Sequence, residues 1–318
     1  MRFVLFIANT LRQLVLFGLM AWAAAALYFD LHPLVAALYL IAVVAIRVLV
    51  HCSWRTTVAT VMSFLIVLTW WLSLHPSSDR PWQPDVSQTA WADIGHDQVT
   101  VHNVRNCVYR TETDYTPVWD TRTLHLSQLR GADIFINYWG SPWIAHPIVS
   151  FDFGPDGRIA FSIETRKIVG QSYSAVRGFF RQYELIYVAA DERDVVRLRS
   201  NYRHEDVYLY KVNTTPQEAR QRFLEYLTTL NELHSQPAWY NALTTNCTTS
   251  IRTQHAAADR APLDWRLILN GKMDEMLYER GAFDRSLPFP ELKKRARIND
   301  RAMPANDSAD FSNLIRSL

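Results

Sequence analysis

The sequence is poor in cysteine and in the short motifs that mark common binding sites. It holds three cysteines in 318 residues, and it has no zinc-type Cys/His spacing, Gly-rich phosphate loop, internal repeat or low-complexity tract. We therefore expect no metal and no other cofactor. The four Lys/Arg and two Asp/Glu of the first 79 residues account for the formal net charge of +2. The remaining domain is neutral, so its charge gives no reason to expect binding to nucleic acid.

Long apolar runs, by contrast, dominate the N-terminus. From Leu11 to Leu74 the sequence is almost continuously apolar, with interruptions at 29–33 and 47–55. Each of the three stretches approaches the roughly 20 residues that a helix needs to cross the hydrocarbon layer. A cleaved signal peptide would instead show one shorter apolar core and a small-residue cleavage site. We predict three transmembrane helices, at about 9–29, 33–50 and 56–74.

The arginines of this segment predict its orientation. Arg2 and Arg12 lie at the N-terminus and Arg47 and Arg55 flank the second loop, whereas the first loop carries Asp30 and neither Lys nor Arg. Positive charge favours the cytoplasmic side, so the N-terminus and the second loop should be cytoplasmic. An odd number of crossings then places the rest of the chain on the opposite side. Cys52, in the second loop, is expected to be inert.

Beyond the membrane segment, strand patterns come first and helical patterns follow. Alternating or short apolar stretches predict strands at 99–109, 133–139, 146–153, 158–164, 184–190 and 205–212. The turn sequence GPDG joins the third and fourth of them into a hairpin. Thr215, Pro216 and Glu218 have the pattern of a capped helix start, and helical patterns follow at about 247–257 and 264–280. Strands followed by helices predict an α+β domain.

Cys247 is the candidate nucleophile. A thiol attacks as the thiolate, so a catalytic cysteine needs a lowered pKa, which a helix N-terminus or a neighbouring histidine can supply. The sequence CTTSIRTQHAA predicts a helix that begins at Cys247, and its first amide groups could also hold an oxyanion. Two other interpretations stay open: a small buried side chain, and a disulfide with Cys107 in an oxidising compartment.

His146 is the candidate base because it opens the predicted hairpin, with Glu164 near the end of the returning strand. A three- or five-residue loop centred on Pro155 makes facing residue numbers sum to 310, which sets His146 opposite Glu164. Glu164 could then hold the imidazole tautomer while His146 takes the thiol proton. A strand-capping histidine and a surface pair between Glu164 and Arg166 are the plainer alternatives.

Four motifs resemble one known family. They are HNVRNCVYRTETDYTP (102–117), DIFINYWGSPWIAHPIVSFDF (133–153), the stretch from SIETR to SNYR (162–203) and WYNALTTNCTTSIR (239–252). Together they are similar to the Lnb N-terminal periplasmic domain family, over nearly all of 90–305. The resemblance implies a permuted papain-like thiol domain, with an antiparallel sheet plus helices. It also implies that Cys247 and His146 are the family's cysteine and histidine and that Glu164 occupies an acidic position.

The apolar N-terminus, the Pro- and Ser-rich stretch that follows it and the resemblance together predict the organisation and location. We expect a membrane segment at 1–79, a linker at 80–98, a periplasmic catalytic domain at 99–305 and a C-terminal tail at 306–318. The protein would be held in a bacterial inner membrane.

The expected function is that of a membrane-anchored thiol acyltransferase. Cys247 would take a fatty acyl chain from a phospholipid donor and pass it to the N-terminal amine of a lipidated protein acceptor. A thiol peptidase or amidase acting on cell-wall peptide uses the same three residues, and a non-catalytic envelope scaffold with an inert Cys247 is the third alternative. An apolar pocket beside Cys247 would favour the acyl donor, and an open polar cleft would favour a peptide.

Four further residues are weaker candidates for binding substrate or an oxyanion. They are Asn246, Tyr138, Arg181 and Tyr183. Tyr138 begins the aromatic stretch YWGSPW, which could line an acyl pocket or simply pack in the core. Arg181 and Tyr183 could donate to a phosphate or an oxyanion, or Arg181 could pair with a neighbouring acid.

Overall fold

The chain divides into two units in the computed structural model, which describes residues 2–50, 53–255 and 257–317. The first unit contains the N-terminal helices up to Ser77 together with two short segments, Tyr173–Tyr183 and Trp239–Asn241. The second unit contains the remaining residues from Ser78 onward.

Three apolar helices form most of the first unit: α1 (Arg2–Asp30), α2 (Pro33–Leu49) and α3 (Ser53–Leu72). Two of them, Arg2–Asp30 and Trp54–Leu72, are long and apolar enough to cross a membrane, and their side chains are mostly exposed. α2 is also apolar but has only 17 residues, about 1.5 Å each along the helix axis, which is shorter than these two. The structure therefore supports two spans, and the third predicted span, at 33–50, stays a prediction. Cys52 lies outside the described residues.

Aromatic packing joins the two short segments to the helix ends within the first unit. The ring of Phe180 stacks on that of Phe29 in the last turn of α1, with centroids 4.9 Å apart. The indole Nε1 of Trp239 donates to the carbonyl of Leu74, just beyond α3, over 3.0 Å. Long-range contacts of this kind carry no local sequence pattern, which is why the sequence did not predict them.

The second unit is built on an eight-stranded sheet, with a separate two-stranded sheet formed by β3 and β4. The strands are β1 (Trp91–Ile94), β2 (Gln98–Arg105), β3 (Val108–Tyr109), β4 (Tyr115–Thr116), β5 (Trp119–His125), β6 (Gly131–Tyr138), β7 (Ala145–Asp152), β8 (Arg158–Arg166), β9 (Glu184–Ala190) and β10 (Asp206–Lys211). The order is β1-β2-β9-β8-β7-β6-β10, with β5 also paired to β2. Every pair is antiparallel except β2 with β9.

The β7–β8 hairpin confirms the predicted register. A five-residue loop centred on Pro155 joins the strands, and the paired residues Ile148 with Ser162 and Phe151 with Ile159 both satisfy the sum of 310. Ile148 with Ser162 is the last pair. Among the described residues, the start of β7 pairs onward with β6 alone and the end of β8 with β9 alone. The two strands therefore part where His146 and Glu164 lie.

The described residues of the second unit also form seven α-helices. They are α4 (Glu192–Arg197), α5 (Pro216–Ser235), α6 (Cys247–Thr253), α7 (Met273–Glu279), α8 (Phe289–Ala296), α9 (Asn299–Ala302) and α10 (Phe311–Leu314), with a π-helical turn at Leu198–Tyr202 that continues α4. The predicted capping box at Thr215 and Glu218 is confirmed. The mixed content confirms the α+β class.

Two predicted boundaries need correction. The expected linker, 80–98, contains β1 and the start of β2, and Val86 within it is buried in the core. The expected tail, 306–318, contains α10, whose Phe311 is fully buried. Both segments are short and polar, so no local sequence pattern predicts their structure. Burial of a few apolar side chains attaches them to the rest of the fold.

Helices cover both faces of the sheet. On one face, Phe223 and Tyr226 of α5 pack edge to face against Phe151 and Phe161. The opposite face carries a cluster that includes Phe135, Ile148, Val195 and Phe311, contributed by the sheet, α4 and α10. Since successive strand residues alternate between the faces, the face that each site residue occupies follows from these contacts.

Candidate functional site

Cys247 is the first residue of α6, as the sequence predicted. Asn246 caps the helix, since its side-chain oxygen accepts from the N–H groups of Thr248 and Thr249 over 3.0 and 2.9 Å. Cys247 and Cys107 are both free, so the possible disulfide between them is ruled out. The side chain of Cys247 is buried, with 8% exposed.

The expectation of an acidic thiol is wrong for this resting state. Burial raises the pKa of Cys247 to about 11, because a thiolate loses its hydration in an apolar environment. The amides of the first turn and the Asn270 side chain act in the opposite direction but do not outweigh burial. The thiol is therefore protonated near neutral pH and needs a base at the moment of attack.

Asn270 joins Cys247 to the strand that carries His146, and no sequence pattern indicated this role. Its amide nitrogen lies 3.7 Å from Cys247 Sγ, within range of a weak hydrogen bond to sulfur. Its amide oxygen accepts from the N–H of Ala145 over 2.9 Å. One side chain thus holds the sulfur in place relative to Ala145, the residue beside His146, although Asn270 and Ala145 are 125 positions apart in sequence.

His146 takes part in a chain of polar contacts. Its Nε2 lies 2.7 Å from Ser162 Oγ, and that hydroxyl donates to Glu164 over 2.8 Å. Because a serine hydroxyl has one proton to give, Ser162 accepts from the imidazole, which assigns the neutral Nε2–H tautomer and leaves Nδ1 as the free acceptor. Burial and, next, the charge of Arg199 lower the pKa of His146 to about 3. The imidazole is therefore neutral in this resting state, and it is a weak base there because burial and Arg199 both oppose its protonation.

Glu164 is held by an arginine that the sequence analysis missed. Arg199 donates to Glu164 and to Glu205, with each N–O distance 3.2 Å. Although burial opposes ionisation, the guanidinium keeps the pKa of Glu164 below its usual range. Arg199 lies in the π-helical turn, and such turns occur often at functional sites. His146 and Glu164 are therefore linked through the hydroxyl of Ser162 and not by the direct contact that the sequence predicted.

The sulfur and the imidazole approach the start of β7 from different faces of the sheet. The α6 side is marked by Tyr187, whose hydroxyl donates to Gln254 over 3.1 Å. Tyr187 pairs with Ile163, so Ser162, the residue before Ile163 in β8, points to the other face with His146. Among the described residues no hydrogen bond joins Cys247 to His146.

The weaker candidates have other structural partners. Tyr138 bonds to Lys293, whose Nζ lies 2.8 Å from the phenol oxygen, and Asn246 is committed to its cap. Arg181 and Tyr183 belong to the first unit. The Arg181 guanidinium lies 4.2 Å from the ring centroid of Trp71, and its main-chain N–H donates to Asp30. Their roles in substrate binding stay predictions.

The surroundings of Cys247 are apolar and exposed. Two segments near Asn270 present six large side chains that are between 40% and 81% exposed: Trp143, Ile144, Leu263, Trp265, Ile268 and Leu269. We call them the apolar surface. A polar groove of about 770 Å³ lies elsewhere in this unit, lined by α5 and the C-terminal end of α6. In the parts of the chain that the structure describes, no group of three His, Cys, Asp or Glu side chains could hold a metal ion.

The raised pKa predicts slow, steeply pH-dependent alkylation of Cys247. With a pKa of about 11, the thiolate fraction and hence the rate with iodoacetamide should rise about tenfold per pH unit between pH 7 and 10. Peptide mapping follows Cys247 and, as an internal comparison, Cys107, whose pKa burial raises to about 12. A rate that is already constant below pH 7 would reveal an ion pair with the imidazole that this geometry lacks.

The fold is that of a mixed α+β domain. In its site, the side-chain amide of Asn270 links Cys247, at the start of a helix, to the strand that carries His146. Residues 115–271 match the family model of the Lnb N-terminal periplasmic domain, so the chain carries such a domain and the predicted resemblance is confirmed. No curated protein and no solved structure gives a significant match. Together with the apolar N-terminal helices, the family match fits a membrane-anchored protein with a periplasmic domain. The permuted papain-like arrangement stays a prediction.

Proposed function

We propose that the protein is a thiol acyltransferase of the bacterial inner membrane, with its N-terminus in the cytoplasm and its second unit in the periplasm. Cys247 is the nucleophile, His146 the base, and Glu164 the acid that acts on His146 through Ser162. The acyl donor is a phospholipid and the acceptor is the N-terminal amine of a lipidated protein.

The observation that supports this proposal best is the bridging side chain of Asn270. It holds Cys247 Sγ at 3.7 Å and the Ala145 N–H at 2.9 Å, so the nucleophile has a fixed position beside the strand of the base. A buried serine and a charge network that orient a neutral imidazole are the supports that general-base catalysis needs. A packing cysteine would need none of them.

The apolar surface favours an acyl donor over a peptide. Side chains such as Trp143 and Leu269 match a fatty chain and offer few partners to peptide N–H and C=O groups. The polar groove that would suit a peptide is lined by side chains such as Gln217, Glu225 and Gln254, none of which belongs to the Cys247 and His146 set. The acyltransferase is therefore preferred to the peptidase.

The reaction follows the two steps of covalent catalysis. His146 Nδ1 takes the thiol proton as Sγ attacks the ester carbonyl of the phospholipid, and the Asn270 amide donates to the developing oxyanion. The imidazolium returns the proton to the leaving lysophospholipid alkoxide, which leaves a thioester on Cys247. The acceptor amine then attacks the thioester carbonyl, loses a proton to His146, and releases the thiol.

A non-catalytic envelope scaffold is the second candidate. It is favoured by the pKa of Cys247, which burial raises to about 11, and by the placement of sulfur and imidazole toward different faces. In that case Cys247 packs at the start of α6 and the ionic network only stabilises the fold.

Trapping of the thioester tests the proposal. Full-length protein incubated with phospholipid vesicles and no acceptor should gain the mass of one fatty acyl group on the Cys247 peptide, and neutral hydroxylamine should remove it. Cys107, which is buried elsewhere and free, should carry no adduct. Equal masses with and without vesicles would support the scaffold instead.

A further inference from the structure

We propose that the apolar surface docks on the lipid bilayer and presents Cys247 to acyl chains at the membrane–water interface. The proposal deepens the proposed function, since it names where the donor is engaged. The six residues Trp143, Ile144, Leu263, Trp265, Ile268 and Leu269 are between 40% and 81% exposed. Large apolar side chains that are exposed on two adjoining segments are typical of binding surfaces.

The two segments that form this surface are fastened together. The N–H of Gly271 donates to the carbonyl of Trp143 over 3.0 Å. A Cβ on Gly271 would meet main-chain atoms of Pro142 and Trp143 at 2.3 Å, so the two backbones approach as closely as glycine permits. Thr248 Oγ1 donates to the carbonyl of Leu267 over 2.5 Å. The surface is therefore a fixed part of the domain and is tied to the first turn of α6.

The apolar N-terminal helices indicate that a lipid bilayer is the partner of the apolar surface. Within the described part of the chain, two helices are long and apolar enough to cross a membrane, and five residues separate the end of α3 at Leu72 from the start of the second unit at Ser78. A short tether keeps the second unit at high effective concentration near any bilayer that those helices enter. Trp side chains prefer the membrane–water interface, where an apolar ring and a polar N–H are both accommodated.

The charged groups beside the apolar surface are already paired. Asp264 accepts from Arg266 over 2.9 Å and from Arg280 over 3.3 Å, and Arg266 also reaches Glu279 at 2.7 Å. Contact with lipid would therefore not require the dehydration of an unpaired charge, which would be energetically costly. Asn270, which follows Leu269 directly, bonds to Cys247 Sγ, so a surface seated at the interface brings the nucleophile to the depth of the ester carbonyls.

An environment-sensitive probe tests docking in the full chain. Ile268→Cys, made with Cys247→Ser and Cys52→Ser, is labelled with a nitrobenzoxadiazole group and reconstituted in vesicles of phosphatidylethanolamine and phosphatidylglycerol. The matched control is Val108→Cys in the same background, because Val108 is similarly exposed but lies on the small β3–β4 sheet. Lipids that carry a doxyl group near the headgroup should quench the probe at 268 and leave the probe at 108 unchanged.

Equal quenching at both positions, or none at 268, would overturn the proposal. A probe at 268 that is shielded from water but not quenched by doxyl lipid would assign the surface to protein, either a second copy or another part of this chain. Docking is measured in the Cys247→Ser background, which cannot form a thioester, whereas thioester trapping uses protein that keeps Cys247. Either experiment can fail without the other, so failure of the docking proposal is distinguishable from failure of the proposed function.

A comparison of acyl uptake from two different donors gives a second test of docking. Trp265→Ser with Ile268→Ser should slow acyl uptake from vesicle phospholipid about tenfold or more, since two interfacial apolar side chains are lost. Uptake from a water-soluble short-chain thioester donor should fall far less, because that donor reaches Cys247 without docking of the protein on a bilayer. An equal fall with both donors would indicate damage to the site and contradict a docking role.

Discussion

Replacement of Cys247 by serine should reduce acyl transfer from phospholipid to a diacylglyceryl-peptide amine by a factor on the order of 10⁴ or more. The hydroxyl is a far weaker nucleophile at neutral pH, and the weak contact from Asn270 to sulfur is changed with it. Initial rates with full-length protein in vesicles, followed by mass spectrometry of the peptide, measure the loss. The fold should be retained, because serine fills nearly the same volume.

The matched control is Cys107→Ala. Cys107 is also buried and free, and it packs with Tyr109 and Leu198 away from the Cys247 set. Its replacement should leave the rate unchanged, although stability falls slightly. Transfer that persists in Cys247→Ser at the wild-type rate would remove Cys247 from the mechanism and leave the scaffold as the better account.

Replacement of His146 by glutamine should lower the same rate by about 10²–10⁴-fold. Glutamine can still donate to Ser162, so the polar network stays connected, but it cannot accept the thiol proton. The deficit should shrink as pH rises toward the thiol pKa of about 11, because hydroxide then ionises the thiol directly. Rates between pH 7 and 10 in both proteins measure this convergence.

His102→Gln is the control for this substitution. His102 also belongs to the sheet and pairs with a carboxylate, Asp93, over 3.0 Å, but it lies on β2, outside the site. Its replacement should leave both the rate and its pH dependence unchanged. A His146→Gln variant whose rate falls equally at every pH would indicate a structural effect instead of a lost base.

Local patterns predicted the elements that position the site. The short apolar run at 184–190 predicted the bounds of β9, and the five-residue loop around Pro155 predicted the register of β7 with β8. Thr215 and Glu218 gave the start of α5. Each of these features depends on residues close together in sequence, where spacing and turn chemistry decide the conformation.

The parts that the sequence did not predict depend on tertiary packing. Asn270 meets Ala145 only because two loops are folded together, and Arg199 reaches Glu164 from a π-helical turn that has no sequence periodicity of its own. The thiol pKa was predicted in the wrong direction, since the helix start was visible in the sequence and the burial that outweighs it was not.

The central claim is that His146 takes the thiol proton of Cys247 during attack, so the two side chains must meet, and a bifunctional reagent tests this most directly. Treatment of the full-length protein with 1,3-dibromoacetone alkylates the thiol first and can then bridge a three-carbon span to a nearby ring nitrogen. We expect peptide mapping to find the Cys247 peptide cross-linked to the His146 peptide, and the link to be absent in His146→Gln. A Cys247 adduct that hydrolyses without any link to His146 would contradict the account.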